Sequence, residues 1–310
     1  MASDRGRFSR SVVSAVALAI ILIVSLFAAL GTRAELPDPL GNQGQDTAPE
    51  LVPGTFVGSS ATPGTGAVHL PVDGKAPIIF LDPGHGGVDT GATGTTINGA
   101  QVDEKTLTLA IAQRTATKLR AAGFQVVLSR TGDSLPGLTA DDLTADGKAL
   151  TPQGVLDELQ GRIDAANDSG ASLLLSIHLN SFDDPSVGGA ETYYDPDRPF
   201  SASSRRFANL VQQDLIAALR KAGYATPDRG VIDDTTLQAE GVGPLQGTYN
   251  HLVMLGPAIP GKLTPSDMPG ALSESLFLSD PAEASAATQP LIQDLIAGAF
   301  IKAVEDYFGG

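Results

Sequence analysis

The sequence predicts one α/β domain built on a largely parallel, buried sheet. Three observations predict it. Short apolar runs of strand length occur at 77–82 (PIIFLD), 124–130 (FQVVLSR) and 172–178 (SLLLSIH). Longer segments with apolar residues at helical spacing lie between and after them. The two kinds of segment alternate, as they do when parallel strands are connected through helices that cover the sheet.

Taken in order, the chain opens with a region distinct from that domain. Residues 11–30 (SVVSAVALAIILIVSLFAAL) hold no charged side chain. Twenty residues at about 1.5 Å each can span a hydrocarbon core of about 30 Å. Arg5, Arg7 and Arg10 precede the run, which favours a cytoplasmic N-terminus. A removed signal peptide has an apolar stretch of about 7–15 residues. This run is longer, so residues 1–34 read as a cytoplasmic stub and retained membrane anchor. Cleavage at the imperfect sites 29–31 or 32–34, followed by secretion, is the alternative. Either fate places the rest of the chain across the membrane. Residues 35–76 are dominated by Pro, Gly, Thr, Asp and Ala without a period, and read as a flexible linker. His69 lies there and reads as a solvated tether residue.

The domain occupies 77–310. Its first strand ends at Pro83-Gly84, a turn pair. In 104–122, Leu107, Ala110, Ile111 and Leu119 fall on one side of a helix, and Gly123 is placed to end it. The strand at 124–130 follows. A second helix ends at 162–167 and leads into the strand at 172–178. Another strand is expected near 191–194. The helix at 204–222 aligns Phe207, Leu210, Val211, Leu215 and Ala218, with Gly223 beyond it. Residues 271–278 (ALSESLFL) are strand-like, and 291–307 close the chain as an amphipathic helix.

Composition narrows the chemistry. There are no cysteines, so disulfides and thiolate metal sites are excluded. A metal would be held by His, Asp or Glu, and only four His exist. The net charge is −15; the first 34 residues carry +3, so the remainder carries −18. That acidity argues against nucleic acid as a partner, which calls for a basic footprint. No nucleophile elbow, P-loop or dinucleotide-binding glycine pattern occurs.

In open α/β sheets, functional groups gather beyond the carboxyl ends of the strands. His85 follows the first strand inside DPGHGG, and His178 ends the strand SLLLSIH. Glu104 opens the helix after the first loop and can reach the same rim. Two imidazoles and a carboxylate are a known catalytic zinc set that leaves a fourth position for water. Glu274 lies among apolar residues of a late strand, where a carboxylate is costly without a partner or a task. It is suited to move a proton from water to a leaving nitrogen. Spacing alone leaves structural roles for either His open. His85 and Glu104 are 19 residues apart, Glu104 and His178 are 74 apart, and no compact HExxH is present.

The stretches IFLDPGHGGVDTGA, EKTLTLAIA, GFQVVLSRTGD, LLLSIHLNS and ALSESLFLSD occur in that order. In this the chain resembles the zinc-dependent N-acetylmuramoyl-L-alanine amidases of the amidase-3 type, from about Ile78 to Tyr307. The resemblance implies a mixed, mainly parallel sheet between helices. It implies one zinc ion on His85, Glu104 and His178, with Glu274 as the catalytic glutamate. It implies hydrolysis of the amide between N-acetylmuramic acid and L-alanine in peptidoglycan, for wall remodelling or separation of daughter cells. A degenerate, wall-binding relative and a zinc peptidase acting on the stem peptide are the alternatives. Whether an activator protein is needed is left open, and no separate wall-binding module is evident.

Two stretches depart from the family pattern: a long acidic link at 132–161 and a Gly- and Pro-rich stretch at 233–267. Each reads as a tolerated surface insertion or as a lid over the zinc cleft. Ser275-Leu276 replaces a more usual pair with Gly before the Phe. Other residues carry weaker expectations. Asp82 orients a ligand His or makes a turn. Asp103 is a charge at a helix N-terminus. Asn180 holds the loop after His178 or faces substrate. His251 is a solvated loop residue, with a zinc or substrate role as the lesser alternative.

Overall fold

The computed structural model describes residues 76–237, 243–245 and 247–309. The expected membrane span at 11–30, His69 and the linker before residue 76 lie outside these. Among the described residues no helix is long and apolar enough to cross a membrane. In chain order the elements are β1 (Ile78–Pro83), a hairpin of β2 (Thr93–Thr95) and β3 (Gln101–Asp103), α1 (Glu104–Ala121), β4 (Gln125–Leu128) and α2 (Pro152–Asp168). Then come β5 (Leu173–Asn180), β6 (Ala190–Tyr194), α3 (Ser201–Lys221), β7 (Asp228–Asp233), β8 (Gly270–Phe277), α4 (Pro281–Ala287) and α5 (Pro290–Gly309).

Six strands form one sheet in the order β4-β1-β5-β8-β6-β7. All neighbours are parallel except β6 and β8, which run antiparallel. The sheet is therefore mixed and mainly parallel. The link from β5 to β6 contains no helix, so the chain turns straight back and β6 descends against the direction of β5 and β8. This reversal sets what lies at each edge. The ends of β1, β5 and β8 point to one rim, and the ends of β6 and β7 point to the opposite one.

Both faces of the sheet are buried, which is why β1 and β5 read as continuous apolar runs. Ile79, Leu81, Leu173, Leu175 and Ile177 pack toward α1, α3 and α5. Phe80, Leu174, Tyr193 and Leu272 face the other way, against Leu156, Ile163 and Ala166 of α2. Each fully buried Leu, Ile or Phe contributes roughly 1.5–3 kcal/mol.

The second face corrects the reading of both unusual stretches. Leu245, Tyr249, Val253, Met254, Leu255 and Leu263 are buried in that face. A helix is about 10 Å wide, while six strands spaced about 4.8 Å apart are more than twice that, so α2 cannot cover the sheet alone. The described residues of 233–267 supply the remaining cover and are core, not a surface insertion. They hydrogen-bond to α2 through Gln160 and Asn167 and to Arg198, and none bonds to His85, Glu104, His178 or Glu274. The link at 132–161 is shorter than expected because α2 already starts at Pro152. Thr151 caps it, its hydroxyl accepting from the Gly154 N–H, with Pro in the first turn. Strand β7 was not expected. It is a partly exposed edge strand reading DRGVID, with no apolar run to reveal it.

Candidate active site

The parallel register delivers both histidines to one rim. Pro83 of β1 pairs with Ile177 of β5, so His85 and His178 emerge side by side. His178 pairs with Glu274 on β8, and Glu274 pairs with Glu191 on β6. His178, Glu274 and Glu191 therefore form a row across three adjacent strands. Glu104, the first residue of α1, closes the group from the helix side.

His85 Nε2 lies 3.1 Å from Glu104 Oε2, and His178 Nδ1 lies 3.0 Å from Glu104 Oε1. The two rings meet edge-on with centroids 4.9 Å apart. One ligand atom from each of the three residues falls within 4.8 Å of the others. The buried Glu104 carboxylate also accepts from the Ala92 and Leu179 N–H groups. Burial opposes its ionisation. The facing His85 and His178, through charge and hydrogen bonds, outweigh that and hold the carboxyl well below its ordinary range. Burial likewise disfavours protonation of His85, but Glu104 and Asp89 together raise its pKa well above the usual value.

The sequence reading missed Asp89. Its Oδ2 is 2.7 Å from His85 Nδ1, which leaves Nε2 as the ring nitrogen aimed at the cluster. The signal was a carboxylate four residues beyond the His in a glycine-rich loop. Two of those glycines are required by close approach. A Cβ on Gly84 would lie 2.2 Å from the His178 ring. A Cβ on Gly91, where φ is 65°, would lie 2.5 Å from both Glu104 Oε2 and His85 Cδ2. His85 itself has φ 61°, and no other described non-glycine residue has positive φ. That conformation is costly for a side chain-bearing residue and needs external support.

Two buried arginines supply the support, and the sequence reading singled out neither. Arg162 donates to the His85 and Pro83 carbonyls at 2.8 Å and to Asp82 Oδ1 at 2.7 Å. Its Nε also pairs with Glu158. Arg130 donates to the Pro83, Gly84 and Lys105 carbonyls at 2.9, 2.8 and 2.7 Å. Burial and the charge of Arg162 pull the Arg130 guanidinium down to about 10. Asp82 touches neither histidine. It accepts from Ser129, Ser176 and Arg162 and acts on His85 only through Arg162. Burial opposes its charge, but Arg162 and the hydrogen bonds hold it at about 2.

Glu274 is half-buried, and its Oε2 is buried without a hydrogen-bond partner. Burial, then the charges of Glu104 and Glu191, push its carboxyl well above the ordinary range. Glu191 was expected only as a strand residue. Here it accepts from Asn180 Nδ2, Tyr193 Oη and Arg229 Nε, each at 2.6 Å. Asn180 thus holds the loop after His178, and its own Oδ1 accepts from the Ser181 N–H. Asp103 occupies the N-cap of α1 without making a side-chain cap bond. His251 is nine-tenths buried, contrary to the expected solvated loop, and belongs to a second cluster with Asp195 and Asp234. Burial and then the charge of Asp195 push Asp234 up to about 8.

A row of titratable groups at the carboxyl rim of a mixed sheet is the arrangement of an α/β enzyme, with groups suited to acid–base chemistry. Residues 79–306 match the N-acetylmuramoyl-L-alanine amidase family, and the chain belongs to that family. It is 30% identical to the germination-specific N-acetylmuramoyl-L-alanine amidase of Bacillus subtilis, over 77% of this chain and 82% of that protein. It is 33% identical to the amidase LytC of the same organism, over 77% of this chain and 36% of that longer protein. Among solved structures, the CwlD amidase of Clostridioides difficile, in complex with the GerS lipoprotein, superposes with a TM-score of 0.56 at 26% identity. That match covers 75% of this chain and 98% of CwlD. The protein is thus an amidase acting on peptidoglycan, outside the cytoplasm.

Proposed function

We propose that His85, Glu104 and His178 hold one zinc ion and that Glu274 is the catalytic base and acid. On this reading the enzyme removes stem peptides from glycan strands at the outer face of the membrane. The observation that carries the reading is the convergence of His85 Nε2, His178 Nδ1 and the Glu104 carboxylate beside an unpartnered Glu274 oxygen. Two imidazoles and one carboxylate suit zinc and leave a position open. When bound, zinc supplies the charge that lowers the pKa of water to about 7.

The chain's own residues do the rest. Asp89 keeps the proton on His85 Nδ1, and Arg162 and Arg130 hold the backbone on which His85 is strained. Glu274, beside the cluster with one oxygen unpartnered, accepts a proton from the attacking water as the water oxygen bonds to the lactyl carbonyl carbon, and delivers that proton to the amide nitrogen. The bond between the lactyl carbonyl and that nitrogen breaks. The sugar keeps a lactyl carboxylate and the peptide leaves with a free L-alanine amine.

Residues 11–30 would tether the domain, and the membrane would then set where it acts. Cleavage and secretion is the alternative. The complex of CwlD with a lipoprotein supports a protein partner for this chain. The test uses the full chain in detergent on purified peptidoglycan, beside Glu274→Ala. Release of peptides with new L-alanine N-termini, about one zinc on the rim residues, and loss of release by about 10²–10⁴-fold in the variant are expected. Release undiminished in Glu274→Ala overturns the assignment.

A further inference from the structure

The descent of β6 and β7 brings a second set of ligand-type side chains to the edge of the sheet opposite the rim. Asp195 directly follows β6, Asp234 directly follows β7, and His251 comes from the segment that covers the second face. Asp195 and Asp234 are 1% and 0% exposed, and the His251 side chain is 9% exposed. In each carboxylate one oxygen is fixed by backbone. Asp195 Oδ1 accepts from the Asp197 N–H at 2.7 Å, and Asp234 Oδ2 from the Leu252 N–H at 3.0 Å. The other oxygens, Asp195 Oδ2 and Asp234 Oδ1, and His251 Nδ1 are all buried without a hydrogen-bond partner. They lie close together: Nδ1 is 2.8 Å from Asp195 Oδ2 and 3.6 Å from Asp234 Oδ1. One ligand-type atom from each of the three residues lies within 4.8 Å of the others, close enough for a single ion to reach all three. Tetrahedral bonds of about 2.0–2.1 Å put ligand atoms about 3.4 Å apart.

We propose that Asp195, Asp234 and His251 form a second metal site, which takes a divalent first-row cation such as zinc. Two carboxylates and a divalent ion are neutral together, which removes the cost of burying the charges. The other ring nitrogen of His251, Nε2, lies 3.8 Å from Asp197 Oδ2, on the side away from the ion. The site is structural. It ties Asp234 and His251, on either side of the described turn at 243–245, to the foot of β6. Arg198, three residues beyond Asp195, holds the same segment through the Leu255, Gly256 and Ser266 carbonyls. The ion would complete that clamp and fix the second core against the sheet.

The experiment measures zinc content and melting of the full chain in detergent near neutral pH. His178→Ala, which removes the rim site, is compared with the double variant His178→Ala/His251→Gln. The expected result is about one zinc in the first and none in the second, with zinc raising Tm by roughly 5 °C or more only in the first. Zinc content unchanged by adding His251→Gln overturns the proposal. If wild type binds one zinc that His178→Ala keeps and His251→Gln loses, this site stands and the rim assignment falls. Should the double variant not fold, X-ray absorption at the zinc edge of His178→Ala decides. One imidazole with carboxylate oxygens supports the site; several imidazoles or water oxygens alone overturn it.

Discussion

Gly91→Ala isolates the steric logic of the rim. The added methyl would stand 2.5 Å from both Glu104 Oε2 and His85 Cδ2. Ordinary contact begins at 3.4 Å, so one or both of these side chains must retreat by about 0.9 Å. Misplacement of about 1 Å in a reacting group costs on the order of 10²-fold in rate. The left-handed backbone adds about 1–2 kcal/mol of strain, or roughly 2–8 °C in Tm for a domain of this size. Gly99→Ala is the internal control. It has φ 80° but nothing within 4 Å of its Cβ, so it carries the strain without the clash. Both variants are expected to melt earlier, Gly91→Ala by more because it carries the clash as well as the strain. Only Gly91→Ala is expected to lose peptide release, by about 10²-fold in kcat/KM, followed as new L-alanine amines on peptidoglycan. Activity of Gly91→Ala within twofold of Gly99→Ala would refute the reasoning.

Two further predictions concern the support beneath the site. Arg162→Met leaves Asp82 and Glu158 buried without their cation and frees the His85 carbonyl. Breaking a buried pair from one side costs about 3–5 kcal/mol, so a Tm loss on the order of 10 °C is expected in a thermal melt, together with lost activity. Asp82 in the fold titrates at about 2 against its ordinary 3.8, a depressed carboxyl. Its contribution, about 2 kcal/mol, is therefore present above pH 3.8 and is lost as pH falls through 2. The gap between urea melts of wild type and Asp82→Asn should narrow from pH 6 and 4 to pH 2.5; a constant gap between them would rule out this linkage.

What was legible in the sequence was what neighbouring residues decide together. The runs at β1 and β5 are apolar on both faces because both faces are covered, and that pattern survives without knowing the cover. The helical spacing in α1, α3 and α5 likewise depends only on one face meeting a core. His85, Glu104 and His178 could be singled out because each stands at or near the end of a recognisable element, and Glu274 because it is a carboxylate among apolar strand residues, all in segments resembling a known family. The tertiary structure decided what depends on distant partners. Arg162 is buried because Asp82, 80 residues earlier, lies beneath it, and no local pattern announces that. Glu191 joins the rim only because β6 runs antiparallel to β8. The same reversal sends Asp195 and Asp234 to the opposite edge, where His251 meets them. The stretch at 233–267 reads as loop because it has neither period, yet it is core because one helix is too narrow to cover six strands. Periodicity reports which face a segment buries; it is silent on which distant group that face will find.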